Sequence, residues 1–288
     1  MNETLILTQI LTGIVGGLVF ALLALGLNLI FGFMGVVNFA HGSFYMVGAY
    51  VGLVVVGRLG AGFWPALVIV PIVVGLLGAV VERTLIRPLY TRKEYEPLLL
   101  TFGLAFVLIE VVKFFFGKFG LAFNAPAGLN DALISGTFFF PKYQVFLALA
   151  AVAIIAALWL VLEKTDIGLI IRAGTQDSIM IRALGIDFDR TRALVFAIGI
   201  GLAGLAGVLH APTRELSADM GLLMTIFAFV TVVVGGMGSY WGAVVGGLLI
   251  GIVYSLVSLF AQQFAQVAVF ALMALILLVR PRGLLGTA

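Results

Sequence analysis

The stretch LILTQILTGIVGGLVFALLALGLNLIFGF, Leu5–Phe33, runs for 29 residues without a charged side chain. About 20 apolar residues in helical form cross the hydrocarbon of a bilayer, so this run is long enough to span with tilt to spare. It then meets Asn38-Phe-Ala-His41-Gly42-Ser43-Phe44, which carries an amide, one of the chain's two histidines and a hydroxyl. A second uncharged run follows up to Arg58. Similar apolar blocks recur at about 64–81, 97–117, 143–162, 191–211, 220–235, 242–263 and 265–279. In lipid only helices or closed barrels satisfy their own backbone, and continuous runs of this length exclude the short alternating strands of a barrel. The reading is an all-α, polytopic transmembrane helical bundle of eight or nine spans over residues 1–288, one transmembrane domain. The short blocks 43–57 and 220–235 are expected to be broken or re-entrant.

Composition agrees. Of 288 residues 63% are hydrophobic and 10% charged, against about 25% charged in soluble domains. The net charge of +3 is not a nucleic-acid footprint, because the basic residues lie in loops between apolar blocks. Eleven of the sixteen fall in three segments: Glu82–Glu96, Glu163–Arg192 and the tail with Arg280 and Arg282. Basic loops stay in the cytoplasm, which places the N-terminus outside and the C-terminus inside. The start, MNETLILTQ, lacks a basic n-region, so the first helix is expected to remain in the mature protein. There is no cysteine, hence no thiolate chemistry.

No site of catalysis is legible. The Gly117-Lys118 pair in FFFGKFG has neither the upstream glycine nor the following Ser or Thr of a phosphate-binding loop. Gly199, Gly201 and Gly204 form GxGxxG inside an unbroken apolar run, where close helix packing explains them better than a dinucleotide. His41 and His210 lack the neighbours of a metal site. Glu110 and Lys113, three apart, read as a local pair toward the outer end of their block, with ion coupling the sharper alternative. No mid-membrane acidic or histidine relay points to a secondary transporter, and no nucleophile–base set to an intramembrane enzyme.

Two features invite function. First, the chain breaks at Asn38, His41, Gly42 and Ser43, and again at Gly235, Gly236, Gly238, Ser239 and Gly242; both breaks end in Gly-Ser-aromatic. Irregular backbone at depth is tolerated where protein buries it or water reaches it, and transporters place such breaks on substrate pathways. A tight inner turn solvated near the headgroups is the alternative. Second, the longest inner segment, Glu163–Arg192 (EKTDIGLIIRAGTQDSIMIRALGIDFDRTR), carries Asp177 as a helix N-cap, an apolar stripe and Gly185 as a helix stop. Its five basic and five acidic residues argue against a helix lying on anionic lipid and for a docking element.

Four blocks, Leu25–Tyr50 (LGLNLIFGFMGVVNFAHGSFYMVGAY), Ile171–Leu209, Val232–Gly251 (VVVGGMGSYWGAVVGGLLIG) and Leu277–Gly286 (LLVRPRGLLG), occur in an order that resembles bacterial branched-chain amino acid ABC transporter permeases, the shorter of their two types. Ile179 and Met180 are bulkier than that family usually has there. The resemblance implies a permease subunit that moves leucine, isoleucine and valine across the bacterial inner membrane by alternating access. It implies as partners a second, different permease subunit, two ABC ATPases and a periplasmic substrate-binding protein, within the lipid bilayer and with no nucleic acid. ATP and magnesium would sit on the ATPases, with no cofactor in this chain. Residues 163–192 would be the coupling loop, through Arg172, Ala173, Asp177, Arg182, Ala183, Leu184 and Gly185. A urea or short-amide importer permease fits the same apolar pathway.

Overall fold

The computed structural model describes residues 3–90, 92, 93, 95–135, 138–176, 181 and 184–286. Its helices are α1 (Glu3–Met34), α2 (His41–Leu53), α3 (Phe63–Val81), α4 (Tyr95–Phe116), α5 (Lys142–Lys164), α6 (Asp166–Gln176), α7 (Phe188–His210), α8 (Met220–Gly235), α9 (Tyr240–Ala261) and α10 (Ala265–Val279). The all-α membrane bundle expected from the sequence is what forms. Among the described residues, six helical stretches are long and apolar enough to cross a membrane, not eight or nine. Three blocks fall below that length for a physical reason. Helix α2 has 13 residues and widens into a π turn at Val54–Arg58. Helix α8 has 16 residues and stops where Gly236 turns to φ +108°. The stretch Tyr240–Val279 counts once at 40 residues, yet the chain bends at Gln262–Phe264 and α10 packs back on α9.

Helix α1 is the axis. Its most apolar window is 83% buried inside the protein, against 22% for α4 and α5, so α1 faces protein where the others face outward. Glycine makes this possible. A side chain added at Gly17 would lie 2.7 Å from the Gly247 carbonyl, and one at Gly251 2.3 Å from the Gly13 carbonyl. Helices α1 and α9 therefore touch backbone to backbone, as small residues permit in membranes. The GxGxxG run serves the same purpose on α7. Gly199 approaches the Gly26 carbonyl, Gly201 the Pro71 carbonyl and Gly204 the Val74 side chain, each within 2.9 Å of an added Cβ.

The segment after α4 contains a small hairpin, β1 (Ala132–Ser135) against antiparallel β2 (Phe138–Pro141), with Ala132 opposite Pro141 and Leu133 opposite Phe140. Lys113 pairs with Glu110 at 3.2 Å and also with Asp219 at 2.9 Å. The second partner ties α4 to the start of α8, a distant contact that local spacing does not reveal.

The three basic segments gather at one end of the bundle. Arg87 binds the buried Glu82 at 3.0 Å and donates to the Asp189 carbonyl at 3.1 Å. Arg192 lies over the Tyr90 ring at 4.2 Å. Burial and the neighbouring Glu82 carboxylate push the Tyr90 phenol far above its ordinary range. The tail laces over the end of α8, with Leu284 and Leu285 donating to the Val234 and Gly235 carbonyls at 2.9 Å.

Candidate functional site

The first break, Gly35–Ala40, is neither solvated nor loose. Asn38, His41 and Ser43 have no exposed surface. The Asn38 side-chain oxygen accepts from Ala40 N at 3.0 Å, holding the turn into α2. Thr101 of α4 accepts from Phe39 N at 3.1 Å, and Thr225 of α8 accepts from Gly42 N at 3.1 Å. The Ser43 hydroxyl points to the Ala105 carbonyl at 3.4 Å. Thr101 and Ala105 lie six and ten residues into the 22-residue α4, so the break sits roughly 9–15 Å from that end of the helix. The polar groups of the break are therefore enclosed by protein. Thr101 and Thr225 were missed because a single threonine in an apolar run carries no sequence signal.

His41 reaches furthest. Its Nε2 lies 3.0 Å from the Leu23 carbonyl of α1; a carbonyl only accepts, so Nε2 carries the proton. Nδ1 is then an acceptor, and it is buried without a partner, as is the donor Nδ2 of Asn38. Gly42 allows α2 to touch α8, since a Cβ there would fall 2.2 Å from the Gly221 carbonyl.

The second break is clamped by Asn28 of α1, which sequence reading passed over. Asn28 accepts from Gly238 N at 2.6 Å and donates to the Ser239 carbonyl at 2.9 Å. Gly236 and Gly238 adopt φ +108° and +82°, a region that a Cβ makes costly. Gly235 meets Gly242 backbone to backbone. Ser239 caps α9 by accepting from Gly242 N at 3.1 Å. Ser43, by contrast, lies inside α2, so the shared Gly-Ser-aromatic letters occupy different positions in the two breaks.

Two cavities with polar groups lie along α5 and α9. One, of about 290 Å³, is walled by Asn28, Trp159, Glu163, Arg172, Gly238 and Trp241, among others. The other, of about 300 Å³, is walled by Gln144, His210, Arg214, Phe20, Phe227 and Ser255, among others. Along α1 the second ends at Phe20 and the first begins at Leu25. His41 bonds to Leu23, within that interval. Asn38, His41, Gly42 and Ser43 line neither cavity. Of the second break, only Gly238 lines a cavity.

The inner segment docks on the bundle through α6. Gly174 is buried against Phe33 and Phe188, and those two rings lie 5.1 Å apart. Arg172 binds Glu163 and the Leu162 carbonyl, closing α6 onto the end of α5; Ala173 is half-buried beside it. Gly185 turns at φ +80° and Ile186 N donates to the Ile181 carbonyl at 3.3 Å, a six-to-one bond of the helix-ending type. Leu184 is 69% exposed. Asp177, Arg182 and Ala183 lie outside the described residues. Asp187 caps α7 by accepting from Arg190 N at 3.0 Å.

Residues 9–280 match the family described as branched-chain amino acid transport system, permease component. The chain belongs to that family. The permease is 30% identical to the high-affinity branched-chain amino acid transport system permease protein BraD of Pseudomonas aeruginosa, over 97% of this chain and 95% of that one. It is 31% identical to LivH of Escherichia coli over the same shares. It is 27% identical to LivM of Escherichia coli, over 93% of this chain and 68% of that longer protein. No solved structure matches the permease.

Proposed function

We propose that the permease is one pore subunit of an ABC importer for branched-chain amino acids, working by alternating access. The observation that carries this reading is the pair of cavities toward opposite ends of α1, separated by a packed layer. An importer needs one access at each face and a closure between them. The gathered basic segments make the Arg172 end cytoplasmic and the Arg214 end external, with the N-terminus outside, the C-terminus inside and eight or nine crossings. The three short helices then complete crossings jointly with irregular backbone.

His41 and Asn38 act as the hinge of the closure. They hold the turn of α2 against α1, and their unpaired acceptor and donor are groups that a second conformation can pair. The glycine break at 235–239 lets the inner end of α8 move with the tail laced over it. The inner segment is the coupling element for a cytoplasmic ATPase. In the cysteine-free chain, Leu184→Cys is expected to crosslink to that ATPase, while Gly174→Cys, facing Phe33, is not; equal crosslinking from both would remove the docking assignment. A second, LivM-like permease, two ATPases and an external binding protein complete the assembly. Every relative named above is described by branched-chain amino acid transport, so urea or short amides are not favoured.

Vesicles holding the whole complex test the function. Labelled leucine, isoleucine and valine should accumulate with ATP and binding protein and not without ATP. Accumulation driven by a proton gradient alone, or of urea in place of leucine, would refute it.

A further inference from the structure

Resting on the importer reading, we infer that the Arg214 cavity is a recognition site of the permease itself for a zwitterionic α-amino acid. Its two walls differ in what they leave unsatisfied. On the α1–α9 side the polar groups serve each other. Gln9 donates to the Ser255 carbonyl at 2.8 Å and to the Ser258 hydroxyl at 3.3 Å, and Ser255 donates back to the Gln9 carbonyl at 2.7 Å. Nothing on that side asks for a ligand.

The opposite side does. Arg214 has no carboxylate partner among the described residues; its neutral neighbours are the Tyr45 hydroxyl and the Met224 sulfur, the latter 4.0 Å from Nη1. In the other cavity the corresponding cation, Arg172, is closed by Glu163. The side-chain oxygen of Gln144 is buried without a hydrogen-bond partner at the cavity wall. His210 is held by the Tyr45 hydroxyl, 2.7 Å from Nδ1. With that hydroxyl donating, Nε2 carries the remaining proton and is a second donor beside Arg214.

A guanidinium with an N–H beside it suits a carboxylate, and a bare amide oxygen suits an ammonium. Phe20, Leu147, Phe227 and Met224 supply an apolar wall for an aliphatic side chain. The cavity of about 300 Å³ falls at the lower end of small-molecule sites. The permease thus checks both charged ends of its cargo, and selectivity is not left to a binding protein alone.

Gly16 offers a test that spares the packing. It lines the cavity, and a Cβ added there meets nothing within 4 Å. Gly16→Cys in the complete complex, without ATP or binding protein, should react with a methanethiosulfonate reagent. Leucine should slow that reaction; isoamylamine, which lacks the carboxylate, and 4-methylpentanoate, which lacks the ammonium, should not. Adding Arg214→Gln should raise the leucine concentration for half-protection by about tenfold or more, the scale of a lost hydrogen bond to a charged group. Thr12→Cys, on the same wall, replaces Gly16→Cys if the latter fails to reach the membrane. Absence of labelling, absence of protection by leucine, equal protection by either analogue, or indifference to Arg214→Gln would each overturn the inference. Because protection needs no transport, its failure is distinguishable from a failure of ATP-driven uptake in the same vesicles.

Discussion

Gly207→Val is expected to remove the permease from the membrane fraction, whereas Gly103→Val leaves its level unchanged. A Cβ at Gly207 would fall on the Tyr45 carbonyl and within 3.0 Å of Ala49 N; at Gly103 it meets nothing within 4 Å. Both glycines lie within apolar helices, and hydropathy does not separate them. The difference is that α7 and α2 cross at Gly207 with their backbones in contact. Backbone cannot rotate out of the way as a side chain tip can. Separating the two helices also opens the packing around Tyr45 and Ala49, which are fully buried. The cost therefore exceeds the usual overpacking penalty of about 1–3 kcal/mol, a large share of a typical stability of about 5–15 kcal/mol. Immunoblots of membranes and size-exclusion profiles in mild detergent measure it. Equal amounts of monodisperse protein for the two variants would contradict the packing argument.

His41→Leu is expected to abolish most uptake while the complex still assembles. Leucine fills the volume but cannot donate to the Leu23 carbonyl, so the side-chain tie from His41 to α1 is lost. A buried hydrogen bond contributes about 1 kcal/mol, and more where partners are left unsatisfied, so uptake should fall by about tenfold or more. His41→Gln retains an N–H near the same place and should recover part of the rate. Uptake of labelled leucine, together with copurification of the ATPases, reads both arms. A variant set in which Leu and Gln behave alike, or in which both transport normally, would rule out His41 as a hinge. Loss of copurification in His41→Leu would instead assign the histidine to folding.

Much of this was legible from residues alone. Uncharged runs such as Leu5–Phe33 declared membrane helices because lipid leaves the backbone no other partner. The GxGxxG of Gly199–Gly204 was readable as packing, since no strand or turn accompanied it. The polar letters of Asn38–Ser43 announced a break, and Gly185 announced a helix end. What resisted reading was pairing across the chain. Asn28 looks like one amide in an apolar helix until Gly238 and Ser239, some 210 residues on, come to lie against it. Thr101 and Thr225 are likewise silent until α4 and α8 pack around the turn into α2. Asp219 reaches Lys113 only in three dimensions. Hydropathy gave eight or nine apolar blocks, of which six helical stretches among the described residues are long and apolar enough to cross by themselves.

The sequence by itself determined the class of solvent, the helical fold and the family, because each rests on local composition and on motifs read along the chain. Only the tertiary structure decided that α1 is the buried axis, that the first break is buried in protein with His41 held against Leu23, between the stretches of α1 that line two cavities, and that Arg214, without a carboxylate partner among the described residues, and the unpaired oxygen of Gln144 face one of them. Those properties depend on which backbones approach closely enough to exclude a side chain, and on which polar groups find each other once they do.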